Sequence, residues 1–216
     1  HVTKLNKYGR LEWSKLFDQV RASNANDLDV DQDGNIFVTG YVNAVSGSNP
    51  KSIWAARIAP WGSVVWEKIV THDTTSSRGV YLAADGNGGC AVSAQFKSSA
   101  HSNEWAVFQV SAHGQLSWAK RYGSDGFDMW CRITPVKAAD GSHDGYLLYE
   151  YNKAMGSSVD ANDIVFIRID AAGTILWAKN YAGYADATHT NPENDFALKA
   201  VQTSDGGFAM FGKSYN

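Results

Sequence analysis

The chain has 216 residues and a formal net charge of −3, and its 44% apolar and 19% charged content is that of a globular protein. It carries no basic run, which argues against nucleic acid and against electrostatic membrane attachment, and no apolar run is long enough to cross a bilayer. Cys90 and Cys131 are too few for a disulfide framework, so they form either a single bridge or two buried thiols.

One short pattern, Gly-x-x-x-Trp-x-Lys, organises the whole chain. It recurs four times, at residues 9–15, 62–68, 114–120 and 173–179. The spacing between successive copies is 52 to 59 residues, which is typical of propeller blades or solenoid repeats. A high aromatic content, with 8 Trp and 10 Tyr, also favours half-buried β-structure.

Each copy predicts four strands in the same order. A run of alternating apolar and polar residues, such as Phe166-Ile167-Arg168-Ile169, precedes the turn glycine and predicts one strand. The tryptophan lies on the next strand, and a third, less regular strand follows. An Asp-Gly turn then leads into the fourth strand. These turns are Asp33-Gly34, Asp85-Gly86, Asp140-Gly141 and Asp205-Gly206.

The pattern therefore predicts an all-β fold of about sixteen strands. We expect a β-propeller with four four-stranded antiparallel blades, or a four-blade fragment of a larger propeller, in a single domain over 1–216. The repeat units are about 1–51, 52–103, 104–161 and 162–216. The four repeated tryptophans are expected to dock between blades. The strands at about 1–18 are expected to complete the blade begun at about 194–216.

These residues also carry a family resemblance. The unit Gly-x-Ile/Leu-x-Trp-x-Lys, then Asp-Gly-Asn/Gly, then Val-x-Gly resembles the β-propeller repeats of secreted and cell-surface bacterial proteins. It is more distantly similar to the Trp-docking propellers that include quinoprotein-like folds. The resemblance covers essentially the whole chain and implies an extracellular or cell-surface propeller. It implies no activity and no cofactor, because a quinone site is not recognisable.

Glu150 departs most sharply from the repeat. The corresponding positions of the other copies hold Gly40, Ala94 and Gly212. A carboxylate on a face that meets the next blade must be paired, hydrogen-bonded or at an open edge. Such surroundings shift pKa values, a frequent property of functional acids. Glu150 is therefore a candidate site residue, and a locally satisfied charge is the alternative.

Two tryptophans outside the repeated position are candidate ligand contacts. Trp61 stands just before the turn glycine Gly62, where a solvent-facing ring can stack on a sugar. Trp130 lies beside Asp128 at the start of an inner strand and could line the mouth of the central channel. Ordinary surface packing is the alternative for both rings.

The third and fourth copies carry insertions at about 123–129 and 182–195. They contain Asp128, Tyr184, His189 and Asp195. Because binding residues concentrate on loops at one end of a scaffold, we expect a site here before anywhere else. Tolerant surface loops are the alternative.

Metal and catalytic signatures are weak. Residues 29–34 begin like a calcium loop, but the twelfth position is Gly40 and strands flank the segment, so a turn is the better interpretation. Histidine spacing does not support a zinc site, and no nucleophile elbow occurs. We therefore expect no metal and no catalytic set.

The favoured hypothesis is a non-catalytic extracellular binding module that recognises carbohydrate or a protein partner through loops at one end. One alternative is a polysaccharide-acting enzyme that uses Glu150 or loop carboxylates. The other is a purely structural repeat of a larger surface assembly. The first residue is His1 rather than Met, so we expect a processed chain or a piece of a longer one, with self-assembly as a further alternative.

Overall fold

The computed structural model describes residues 1–17, 23–43, 51–70, 77–96, 104–122, 131–152, 163–181 and 194–215. Within these ranges the chain forms sixteen strands and provides no helix that could cross a membrane. The strands are β1 (Val2–Leu5), β2 (Leu11–Lys15), β3 (Ser23–Val30), β4 (Ile36–Asn43), β5 (Lys51–Ile58), β6 (Val64–Val70), β7 (Ser77–Ala84), β8 (Cys90–Phe96), β9 (Glu104–Val110), β10 (Leu116–Tyr122), β11 (Arg132–Lys137), β12 (His143–Asn152), β13 (Asp163–Ile169), β14 (Ile175–Tyr181), β15 (Asn194–Gln202) and β16 (Phe208–Tyr215).

Consecutive strands pair as antiparallel neighbours. Three sheets have four strands each, β3–β6, β7–β10 and β11–β14, and two hairpins, β1–β2 and β15–β16, form separate sheets. The expected all-β fold with repeated four-stranded sheets is confirmed. The predicted union of the first and last hairpins in one sheet is not seen, because each pairs only within itself among the described strands.

The hairpin turns share one hydrogen-bond pattern. In Ala59–Ser63, the first N–H donates to the carbonyl four residues later, and the Gly62 N–H donates back to Ala59 O. Gly62 has a φ of +94°, a conformation that side chains with a Cβ rarely adopt. Glycine at this position of a five-residue turn is the expected chemistry for such a hairpin.

One predicted turn is displaced by two residues. The turn Asp85–Gly89 has its first hydrogen bond from Asp85 N–H to Gly89 O. Asp85 therefore corresponds to Asp31, and Asn87-Gly88 occupies the place that was assigned to Asp85-Gly86. The sequence Asp-Gly-Asn-Gly-Gly offers two glycines with positive φ, Gly86 and Gly88, so the pattern alone placed the turn on the wrong pair.

The five sheets lie face to face in a row. Four apolar clusters join them, one at each interface. Each four-stranded sheet therefore buries both faces. In the first of these sheets, for example, Val38 packs toward β1–β2 and Phe37 packs toward β7–β10. This arrangement explains the near-continuous apolar runs of the second and third strands of each sheet.

We call β3–β4, β7–β8, β11–β12 and β15–β16 the inner hairpins, and β1–β2, β5–β6, β9–β10 and β13–β14 the outer hairpins. The repeated tryptophans join each outer hairpin to the next. Trp13 Nε1 donates to Pro60 O at 2.9 Å, and a Cβ placed on Gly62 would lie 2.9 Å from the Trp13 ring. Trp118 repeats the contact two sheet pairs later, with its Nε1 3.0 Å from Ala171 O. These glycines must lack a side chain because the indole of the preceding repeat fills the space.

The two cysteines are buried free thiols in different apolar clusters. Cys90 lies between the first and second four-stranded sheets, and Cys131 lies between the second and third. Of the two alternatives that the composition left open, the structure selects the buried thiols.

Candidate functional site

The hairpin turns gather at one end of the strands, which we call the turn end. The evidence lies in contacts between turns of different hairpins. A Cβ on Gly34 would lie 3.4 Å from the Pro60 ring, and one on Gly88 would lie 3.2 Å from Ala112 Cβ. The first and third connections of every four-stranded sheet are therefore brought together at the turn end.

A cavity of about 290 Å³ opens at this end, between the inner turns of the three four-stranded sheets. Each of the turns Asp31–Asn35, Asp85–Gly89 and Ala138–Ser142 contributes to its wall. Its polar lining side chains are Asp29, Asp31, Gln32, Asp85, Asn87, Lys137, Ser142 and His143. Three carboxylates and one ammonium group thus surround a space the size of a small polar ligand.

The carboxylates are held in place by main-chain donors. Asp29 Oδ1 accepts from Val30 N–H at 2.8 Å, and its Oδ2 accepts from Ala84 N–H of the next inner strand at 2.9 Å. Asp31 Oδ1 accepts from Asn35 N–H at 2.8 Å. Residues 29–34 are thus the end of β3 and the turn that follows it, with structural carboxylates, and they also form part of the cavity wall.

A chain of hydrogen bonds connects this wall to the sheet behind it. Asp85 Oδ2 accepts from Gln109 Nε2 at 2.9 Å, and Tyr146 Oη donates to Gln109 Oε1 at 2.7 Å. Burial raises the pKa of Tyr146 well above its usual range, so the phenol remains a neutral donor. The chain links the second and third four-stranded sheets and fixes Asp85 at the cavity wall.

His143 completes this side of the cavity. Its ring lies 4.7 Å from the Tyr146 ring, centroid to centroid, at 59°. Burial lowers the pKa of the His143 imidazole, with Arg168 as a smaller cause in the same direction. At neutral pH the imidazole is therefore uncharged and offers one donor and one acceptor.

Trp61 stands at the turn end, on the turn Ala59–Ser63, and is not among the residues that line the cavity. Its neighbour Pro60 contacts Gly34, which belongs to the same turn as the cavity residues Asp31 and Gln32. The Trp61 side chain is 75% exposed, so the predicted solvent exposure is confirmed. Tyr8 holds the corresponding place in the first hairpin and is equally exposed.

Glu150 lies elsewhere. It is in β12 opposite Val165 and is only 4% exposed, between the second and third four-stranded sheets, and it does not line the cavity. Four other candidates, Asp128, Trp130, Tyr184 and His189, lie outside the described residues, and their roles stay predictions. Asp195 belongs to strand β15, so the fourth insertion ends earlier than expected.

Sequence reasoning missed the cavity residues for a definable reason. The sequence assigned the recurring Asp-Gly turns to the fold, and of their aspartates only Asp85 lines the cavity. Asp29 and Asp31 precede the Asp-Gly pair of the first copy, and they become wall residues only because turns from different sheets converge on one point. The signal was the run Asp29, Asp31 and Asp33, which exceeds what one turn requires.

No group of three or more His, Cys, Asp or Glu side chains suited to hold a metal ion is found among the residues that the structure describes. No protein-family model matches the chain, and no curated protein matches its sequence. The site must therefore be interpreted from its own geometry and chemistry.

Proposed function

We propose that the sheets are the blades of a four-bladed β-propeller that is closed by pairing of β16 with β1. The support begins with an offset between hairpins. The outer hairpins β1–β2, β5–β6, β9–β10 and β13–β14 follow one another, joined by the repeated tryptophans in their outermost strands. The inner hairpins start one unit later, at β3–β4, and end at β15–β16. One outer and one inner hairpin are thus left as complementary halves of a blade.

Exposed apolar side chains mark the edges that would meet. Met210 on β16 is 41% exposed, whereas Val38 and Val92 at the same register are each 1% exposed. Leu5 on β1 is 55% exposed, whereas Ile58 is fully buried. By the register of the β4–β5 pair, Leu5 faces Phe208 in the closed ring. Pairing of the two edges would bury both sets of side chains.

The first inner strand is also uncovered on one face. Leu28 and Val30 of β3 are exposed, but Leu82 and Ala84 at the same positions of β7 are buried against the preceding sheet. In a closed ring the β15–β16 hairpin covers Leu28 and Val30. Three separate apolar surfaces therefore have the same explanation.

A glycine substitution tests closure. Closure places the Gly9 turn against Trp177, just as Gly62 lies against Trp13. We expect Gly9→Ala to lower the free energy of unfolding as much as Gly62→Ala, because both add a methyl group against an indole. In an open stack Gly9 has no atom within 4 Å of an added Cβ. The result would then match the control Gly141→Ala, which has positive φ and open space.

We propose that the module binds carbohydrate at the turn end, without catalysis. The observation that carries this proposal is the polar cavity at the turn end, the end of the sheets at which the exposed Trp61 ring also lies. Carboxylate, amide, hydroxyl and neutral imidazole groups offer the mixed donors and acceptors that sugar hydroxyls require. The exposed Trp61 indole at the same end of the sheets supplies a flat apolar face for a sugar ring. Because the carboxylates Asp29, Asp31 and Asp85 already accept main-chain or amide hydrogen bonds, they suit fixed recognition rather than proton transfer.

A glycan array with the purified chain tests this function. We expect binding to a defined set of glycans, reduced at least about tenfold by Trp61→Ala or Asn87→Ala. Tyr181→Ala is the matched control, because Tyr181 is an exposed aromatic at the far end of β14. A folded monomer that binds no glycan would oppose the proposal, as would equal losses with Tyr181→Ala.

A protein ligand is the second candidate. It is favoured by the repeated exposed aromatic side chains at the turn tips, Tyr8 and Trp61, which resemble anchors of a contact surface. A blank glycan array together with loss of a specific protein partner in Tyr8→Ala and Trp61→Ala would select it. An extracellular or cell-surface location remains part of this proposal and follows from the repeat resemblance alone.

A further inference from the structure

The cavity is built by three equivalent turns, although the chain contains four. The turns Asp31–Asn35, Asp85–Gly89 and Ala138–Ser142 line it. The fourth, Thr203–Gly207, has the same hydrogen-bond pattern, with Thr203 N–H bonded to Gly207 O and Gly206 N–H bonded to Thr203 O. It does not contribute to the wall, and an added Cβ on Gly206 would meet no atom within 4 Å.

This fourth turn already stands beside the third. Gln202, the residue before it, makes two hydrogen bonds of 2.9 Å with the main chain of Lys137, one through its Oε1 and one through its Nε2. Lys137 itself lines the cavity. The turn is thus anchored next to the Lys137 side of the cavity.

Charge complementarity indicates which strand lies next to the last inner hairpin, β15–β16. The first strands of the four inner hairpins each have one residue at the same position, as judged by the residue it pairs with on the second strand. These residues are Asp27, Tyr81, Arg132 and Lys199. Neighbouring members of this set interact, since the Arg132 guanidinium lies 4.6 Å from the centre of the Tyr81 ring. Lys199 is the last member, and closure brings its ammonium group next to Asp27.

We propose that the Thr203–Gly207 turn is the fourth wall of the cavity and that Ser204 and Asp205 contact the bound ligand. This inference rests on the proposed closed ring and on the proposed sugar site. Asp205 Oδ1 accepts from Thr203 Oγ1 at 2.5 Å and from Gly207 N–H at 3.1 Å, so the carboxylate is held on the turn. Ligand binding then requires a closed ring and, by mass action, stabilises it.

The first test measures whether the Thr203–Gly207 turn lies next to the Asp31–Asn35 turn, and it needs no ligand. The double variant Gln32→Cys/Asp205→Cys is treated with a short bismaleimide, and Gln32→Cys/Tyr181→Cys is the control. We expect an intramolecular cross-link in the first variant alone. Absence of a cross-link overturns the proposal. A covalent dimer also overturns it, because the turn then docks on a second copy. Native Cys90 and Cys131 are buried, and single-cysteine variants control for them.

The second test reads contact with the ligand on the glycan array. Asp205→Asn is compared with Asp170→Asn, which also keeps a turn hydrogen bond to a main-chain N–H, that of Thr174, but belongs to a turn that does not line the cavity. We expect Asp205→Asn to weaken binding about tenfold and Asp170→Asn to leave it unchanged. If Trp61→Ala and Asn87→Ala abolish binding while Asp205→Asn leaves it unchanged, the sugar site is supported and the proposed contact of the fourth turn with the ligand is wrong. If no glycan binds, the proposed sugar site is wrong. The cross-linking experiment then still shows whether the Thr203–Gly207 turn lies next to Gln32.

Discussion

Trp13 and Pro60 are joined by a hydrogen bond of 2.9 Å from the indole Nε1 to the main-chain oxygen, across 47 residues of sequence. The same oxygen accepts from Lys4 Nζ at 3.1 Å. The Pro60 oxygen thus accepts hydrogen bonds from the Lys4 ammonium group on β1 and from the Trp13 indole on β2. Arg57 repeats the contact made by Lys4 one repeat later, since its guanidinium donates to Ala112 O at 3.0 Å.

Replacement of Trp13 should therefore loosen a junction between sheets. We expect Trp13→Ala to lower the free energy of unfolding by about 2–4 kcal/mol, through lost packing and the loss of one of the two hydrogen bonds that Pro60 O accepts. Trp61→Ala is the control, because its exposed ring should change stability by no more than about 0.5 kcal/mol. Urea unfolding followed by circular dichroism measures both. Equal losses would show that the Trp13 contact has no special role.

A buried phenol makes a second junction. Tyr122 Oη donates to Gly173 O at 2.6 Å, and its side chain is buried against Trp105. Tyr122→Phe keeps the ring but removes the donor, so it should cost about 1–3 kcal/mol. Tyr8→Phe, at an exposed position, should be neutral in the same unfolding experiment. A neutral result for Tyr122→Phe would mean that solvent or another donor reaches the Gly173 carbonyl.

Acidification should weaken the fold through His143. Burial lowers the pKa of this imidazole in the folded protein, while the unfolded chain keeps a value near about 6.5. The His143 contribution to stability is therefore complete above that pH and is lost as the pH falls toward the lower folded value.

The comparison of variants isolates this contribution from that of the carboxylates. Between about pH 7.5 and about pH 5.5, the urea midpoint of the native chain should fall more than that of His143→Gln. His113→Gln replaces an exposed histidine at a turn tip and should retain the native pH dependence. An identical pH dependence in all three proteins would contradict a half-buried, neutral His143.

The thiols provide a test of the core. Both cysteines are only 1% exposed, and burial strongly raises the pKa of the Cys90 thiol. We expect neither thiol to react with a disulfide reagent in the native protein at mildly alkaline pH, because the thiolate is the reactive form. Both should react in guanidinium chloride without a reductant. A count of zero thiols in the unfolded, unreduced protein would instead show a disulfide.

The sequence allowed the strands to be predicted because each carries its own local signal. Alternation around Arg168 and the glycine at position 62 are local properties, and both act through hydrogen bonds within one hairpin. The cavity could not be predicted in this way. Asp29 and His143 are far apart in the chain and meet only because separate inner turns converge. The sequence did place Glu150 on a face that meets the next sheet, and its 4% exposure confirms this position, while its role as a site residue stays a prediction.

The one-unit offset between outer and inner hairpins has a consequence for how the chain can be rearranged. In the proposed ring, a circular permutant that begins at β3 and joins β16 to β1 by a short linker would carry every blade as four consecutive strands. Its last blade would form through local hairpin contacts rather than through contact between distant chain segments, which lowers the contact order. The permutant should fold faster than the original chain, and the seam between β16 and β1 would then be an ordinary hairpin.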